Sequence, residues 1–88
     1  MLENLPGWQL QNQKLCKEFT CKNFSSAFAF LSMVALLAEK QNHHPDFYMS
    51  YNKIRFELSS HDAGNIATER DYVLAKGIEK KYAALTHE

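Results

Sequence analysis

The chain carries no block of like charge anywhere. Lys plus Arg and Asp plus Glu both number ten, so the formal net charge is zero with histidine neutral. A nucleic-acid binder concentrates basic residues, because neutralising phosphates supplies much of its affinity, so direct nucleic-acid binding is not expected. Cysteine is scarce as well. Cys16 and Cys21 are the two present, five apart on what reads as one strand, and an odd offset points them to opposite faces. They are poorly placed to bridge each other, which suits reduced thiols in a reducing, cytoplasmic compartment. No charged-then-apolar leader opens the chain, so no secretory signal is expected. The apolar run 27–38 has one polar residue, Ser32, in twelve, whereas a membrane span needs ~20 apolar residues. No membrane crossing is expected.

What is there suffices for a folded globule. Of 88 residues, 45% are hydrophobic and 12% aromatic, which excludes a disordered chain. The length fits one domain over residues 1–88. A domain this small buries only somewhat more than ~60% of its unfolded surface, so its monomer core is modest.

Leu5–Pro6–Gly7 is a turn signal, and Trp8–Gln9–Leu10 begins a strand. Gln11–Asn12–Gln13 reads as a hairpin loop, followed by an alternating segment from Leu15 to Cys21 in which Lys17 falls on the apolar side. Asn23 is suited to accept from the free amides of a following helix, as an N-cap does. That helix runs to about Lys40, and Pro45, which disfavours helical backbone at His44, ends it near Asn42 or His43. From Asp46 to Ser60 the chain is the clearest β segment, pivoting at Tyr51–Asn52–Lys53, with Ile54, Phe56 and Leu58 alternating against Arg55, Glu57 and Ser59. His61–Asn65 is a loop whose Gly64 and Asn65 tolerate left-handed backbone. Thr68 opens the last helix, with Asp71 three residues on as an Asp version of a capping box. Leu74, Ala75, Ile78, Tyr82 and Leu85 then form one apolar stripe. Gly77 inside this helix costs ~1 kcal/mol relative to Ala.

The order β-β-α-β-β-α predicts an α+β fold of two layers, a four-stranded antiparallel sheet covered by helices on one face. The first helix is apolar almost all round, and such a helix must be covered on more than one side. One sheet covers one stripe, so the helix 24–40 is expected in the interface of a homo-oligomer.

Three of the four histidines, His43, His44 and His61, fall in or beside the loops that bound the long strand. Imidazole gives and takes protons near neutrality. Glu39, one helical turn before His43, is placed to accept a hydrogen bond from it, and Asp62 or Asp71 could hold His61. The plainer readings are a solvated polar turn for the histidine pair, an ordinary helix-start role for Asp71 and a solvated Glu39. Zinc is a further possibility, although adjacent residues in extended chain point opposite ways, making His43 and His44 a poor chelating pair. His87 is assigned no role. Nucleophilic catalysis has no support, because neither cysteine lies near a histidine in sequence and no serine sits in a motif.

Glu39-x-x-x-His43–His44–Pro45, then Tyr51–Asn52–Lys53, Ser60–His61–Asp62–Ala63–Gly64 and Asp71 resemble the signature of the pterin-4a-carbinolamine dehydratases. The likeness extends to Leu5–Pro6–Gly7–Trp8, to Phe24-x-x-Ala27–Phe28 and to 34–40, and so covers almost the whole chain. It implies dehydration of 4a-hydroxytetrahydropterin to quinonoid dihydropterin and water, recycling the tetrahydrobiopterin cofactor of aromatic amino acid hydroxylases. It implies no metal, no cofactor and no covalent intermediate. By the same likeness His43, His44 and His61 form the catalytic set. His43 and His61 would be the acid/base pair in an order left open, with His44 mainly holding the pterin. Pro45, Ser60, Asp62 and Ala63 would line the substrate pocket, and Glu39 and Asp71 would orient the imidazoles. A dimer or tetramer is implied, and some members of the family also bind a transcription factor and stabilise its dimer, so an interaction protein using the helix surface is the alternative. Two departures stand out. The loop from His61 to Asp71 is one residue longer than the common spacing, around Asn65–Ile66–Ala67, and only seven residues precede Trp8, where members usually carry a helix.

Overall fold

Two hairpins build the sheet. β1 (Gln9–Gln11) and β2 (Lys14–Thr20) are joined through Asn12 and Gln13, whose φ values of 52° and 66° give the left-handed two-residue turn that matches strand twist. β3 (Asp46–Ser50) and β4 (Lys53–Leu58) are joined through Tyr51 and Asn52. The strands lie antiparallel in the order β1-β2-β4-β3, with Leu15 opposite Leu58 and Phe19 opposite Ile54. This computed structural model describes residues 2–86; His87 lies outside the described residues.

The β4 alternation sorts as its sequence requires. Ile54, Phe56 and Leu58 are buried toward the helices, while on the other face Arg55 Nε donates to Glu57 at 3.0 Å. Lys17 is the apparent exception on the apolar face of β2. Its stem crosses the Phe19 ring, with Nζ 4.6 Å from the centroid, and its ammonium donates to Glu79 Oε2 at 2.6 Å and to the Pro6 carbonyl at 2.9 Å. The methylenes are buried and the charge is paired at the rim. Glu79 Oε2 also accepts from Trp8 Nε1 at 2.8 Å.

α1 (Phe24–Gln41) starts as Asn23 suggests, its side-chain oxygen accepting from Ser26 N at 2.8 Å. Its last helical residue is Gln41, and it closes where Pro45 leads one to expect, at Asn42, whose left-handed backbone (φ 51°) turns its N–H back to the carbonyls of Ala38 and Glu39. Ala27, Phe30, Val34 and Ala38 are buried against the sheet, where Phe30 and Phe56 meet edge-on at 5.8 Å between centroids, a favoured aromatic geometry. The opposite face is not covered by the described residues: Phe24 and Phe28 are exposed, and Leu36 is 73% exposed.

α2 (Glu69–Thr86) buries Asp71, Leu74, Ala75 and Ile78, with Tyr82 and Leu85 packed at the margin of the core. Gly77 sits where α2 approaches α1, and a Cβ there would lie 2.6 Å from Leu37 Cδ2. Gly77→Val is therefore expected to lower stability by about 1–3 kcal/mol through overpacking, read as a shift in urea midpoint. Among the described residues no helix is long and apolar enough to cross a membrane.

Cys16 and Cys21 are both free and buried, and burial pushes both thiols above their ordinary value. The fold thus favours the protonated thiol. The stabilisation is fully present below the unfolded thiol's pKa and is lost as pH rises through the higher folded value. Because the thiolate is the nucleophile, both cysteines should resist Ellman's reagent at neutral pH in the native protein and react at once in denaturant. Rapid native labelling would contradict this burial.

Candidate active site

The site forms where three segments end: the C-terminus of α1, the turn after β4 and the first turn of α2. After the left-handed step at Asn42, His43 N–H returns to the Ala38 carbonyl at 3.1 Å, and its imidazole points inward. It is only 9% exposed, and Nε2 donates to Asp71 Oδ1 at 2.5 Å. Asp71 is fully buried. Its other oxygen, Oδ2, accepts from Thr68 N at 2.8 Å and Ser60 Oγ at 2.9 Å, and Ser60 Oγ accepts in turn from Thr68 Oγ1 at 2.7 Å. The Thr68 backbone bond is the capping-box contact expected from sequence, and it leaves Oδ1 free to hold His43. A carboxylate oxygen accepts, so His43 carries its proton on Nε2 and Nδ1 bears the lone pair. No described residue bonds Nδ1. Since no buried polar side-chain atom among the described residues lacks a partner, Nδ1 is not sealed inside the protein and is reachable from outside.

Two sequence expectations are corrected here. Glu39 bonds His44 Nε2 rather than His43. The left-handed residue at Asn42 swings His43 off the exposed face where Glu39 lies, and the next residue takes its place. Glu39 and the His44 ring are both exposed, so this pair adds little stability. His61, in the 3-10 turn His61–Ala63, is held by neither Asp62 nor Asp71. Its Nδ1 lies 2.7 Å from Asn65 Oδ1, while both oxygens of Asp71 are already occupied by His43, Ser60 and Thr68.

A cavity of about 300 Å³ is lined by Asn42, His43, His44, Ser59, His61, Asp62 and Arg70. The three imidazoles and Asp62 expected at the site thus share one space. Pro45 and Glu39 line instead an adjoining apolar cleft of about 180 Å³ with Leu31, Val34, Ala35, Ala38 and Phe47, and His44 stands on the boundary of the two. Ser60 is 1% exposed, with its hydroxyl spent on Asp71 and Thr68, and Ala63 is exposed outside the cavity lining.

Sequence reasoning missed Arg70, which lines the cavity and whose Nη2 donates to the Asn42 carbonyl at 2.9 Å. A cation in the first turn of a helix opposes the macrodipole, and that anomaly was the available signal. Among the described residues no three His, Cys, Asp or Glu side chains are grouped to hold a metal ion. Each imidazole is instead fixed through one ring nitrogen by an oxygen acceptor, with no described residue on the other. That arrangement orients a ring to exchange one proton at one nitrogen, the requirement for general acid–base chemistry.

Comparison with known proteins places these residues in context. The model of the family described as pterin 4 alpha carbinolamine dehydratase matches residues 1–81. A protein of Prochlorococcus marinus (strain NATL2A) provisionally named pterin-4-alpha-carbinolamine dehydratase is 47% identical over 79 residues, covering 90% of this chain and 82% of its own. One of Aquifex aeolicus (strain VF5), with the same provisional name, is 44% identical over 79 residues, covering 90% and 79%. Among solved structures, a crystal structure described as a transcriptional coactivator/pterin dehydratase from Brucella melitensis superposes with a TM-score of 0.85 at 35% identity, covering 91% of this chain and 86% of that one. It shares the four-stranded antiparallel sheet and two-helix order found here.

Proposed function

Since the chain belongs to the pterin 4 alpha carbinolamine dehydratase family, we propose that it dehydrates a 4a-hydroxytetrahydropterin to the quinonoid dihydropterin and water, using the three-histidine cavity. The observation that carries this reading is the buried His43–Asp71 pair facing the same cavity as His61. The reaction removes a hydroxyl from a carbon next to a ring nitrogen. One group must protonate the departing oxygen while another takes the ring N–H proton. His43 presents an open Nδ1, and the Asp71 carboxylate offsets the positive charge its ring gains on accepting a proton, so His43 is the base. His61 in its imidazolium form then supplies the proton to the leaving hydroxyl. His44 and Asp62 hold the pterin, and Glu39 steadies His44. Ser60 acts through Asp71 rather than by touching substrate. A volume of about 300 Å³ lies at the lower end of ligand-site volumes, ~300–1,000 Å³, as a small bicyclic substrate would need.

In this role the protein would supply quinonoid dihydropterin in the cytoplasm to a separate two-electron reduction that restores the tetrahydrobiopterin-type cofactor of a hydroxylase. Stopped-flow dehydration of 4a-hydroxytetrahydropterin is the test: wild type should exceed the spontaneous rate, and no acceleration over buffer would end this reading.

The uncovered face of α1 adds a second component. Phe24 and Phe28 are both exposed and stack at 6.2 Å between centroids, and Leu36 continues the apolar surface. We assign this face to a homo-oligomer through helix 24–40; light scattering at micromolar concentration should give a multiple of the 10.2 kDa chain, and a monomeric mass would count against it. The coactivator description of the Brucella structure supports a second reading, in which the same face binds a foreign protein. A stable oligomer with the face buried and no such binding would separate the two.

A further inference from the structure

We propose that Asn65 is a positioning residue for His61, fixing the tautomer that leaves Nε2 as the atom exchanging a proton with substrate. The proposal deepens the dehydratase reading and rests on it. His61 is exposed, and an exposed imidazole otherwise rotates freely and populates both neutral tautomers. The Asn65 side-chain oxygen, 2.7 Å from Nδ1, can only accept, so it selects the ring with its proton on Nδ1. That bond persists whether His61 is neutral or protonated, and the exchangeable proton is confined to Nε2.

Asn65 is itself held. Its backbone is left-handed at φ 63°, a conformation Asn tolerates better than most residues. Its N–H donates to the Ser60 carbonyl at 3.0 Å, and the neighbouring Ser60 N–H donates to the Ile66 carbonyl at 2.9 Å, closing an isolated antiparallel bridge between Ser60 and Ile66. Ser60 in turn is anchored through its hydroxyl to Asp71, the carboxylate that holds His43. The 61–66 loop therefore has a use. It brings an amide against one histidine while Ser60 ties that loop to the partner of the other.

The test is the side-chain ¹⁵N spectrum of His61 in the full chain above its titration range, for wild type, Asn65→Gly and Asn65→Asp, with kcat for each. Glycine keeps the left-handed backbone and removes only the amide; aspartate keeps an acceptor. Wild type should show the proton on Nδ1. Asn65→Gly should lose that preference and about 3–10-fold in kcat, the scale of one net hydrogen bond. Asn65→Asp should keep the tautomer and most of the rate, and it should move the His61-dependent limb of the pH profile upward, because a carboxylate favours the protonated ring. A wild-type ring protonated on Nε2, or an Asn65→Gly variant with tautomer and kcat unchanged, would overturn the proposal. So would a changed tautomer with an unchanged kcat. If Asn65 controls the tautomer but wild type does not accelerate dehydration, the positioning stands and the dehydratase reading alone fails.

Discussion

His43→Ala is expected to lower kcat for dehydration by about 10²–10⁴-fold, the usual contribution of one general acid–base group, with a far smaller change in KM. The imidazole is buried and fixed on Asp71, so what it offers a substrate is one lone pair at one place. Little of the proposed pterin binding should depend on it, because His44, His61, Asp62 and Arg70 still line the cavity. A loss shared equally between kcat and kcat/KM marks an interaction made in the transition state. If KM rises instead and kcat holds, His43 is a binding residue and the proton passes elsewhere. Truncation also leaves Asp71 Oδ1 without its donor in a buried place, so a loss of about 1–3 kcal/mol in stability should accompany it; the denaturant midpoint separates this from the kinetic effect.

The second large effect is Asp71→Asn. Two donors, Thr68 N and Ser60 Oγ, converge on Oδ2, against one, His43 Nε2, on Oδ1. The amide should therefore keep its oxygen toward Thr68 and Ser60 and turn its NH₂ to His43. An NH₂ group only donates, so Nε2 must give up its proton and the ring must carry it on Nδ1, the nitrogen proposed to accept from substrate. The base is then present, in place and in the wrong tautomer. The same substitution behind the histidine of serine proteases costs ~10⁴ in kcat with geometry preserved, and about 10²–10⁴ is expected here. The ¹⁵N spectrum of His43 and kcat should change together. An inverted tautomer with an unchanged rate would show that Nδ1 is not the proton acceptor.

Local chemistry made much of the fold legible. Asn23 caps α1, the Ile54–Phe56–Leu58 alternation names the buried face of β4, and Thr68 with Asp71 marks the start of α2; each is decided within a few residues. The histidines were legible as a group for the same reason, since His43–Pro45 and His61 lie at element ends. Their partners were not. His43 and Asp71 are 28 residues apart, and the choice of which histidine meets Glu39 turns on the single left-handed residue Asn42. The left-handed backbone of Asn65 (φ 63°) is legible as turn chemistry, but its side-chain bond to His61 is not, because that depends on the path of the whole 61–65 turn. Lys17, which disturbs the parity of β2, makes sense once Glu79 on α2 is seen to receive it.

The most direct test of the account is a titration of the protein with a non-reacting dihydropterin, following the imidazole resonances of His43, His44 and His61. Saturable shifts are expected at all three, with Asp62 and Arg70 amides moving at the same ligand concentration. Shifts confined to the exposed Phe24–Phe28 face, or none at the three rings at saturation, would contradict it.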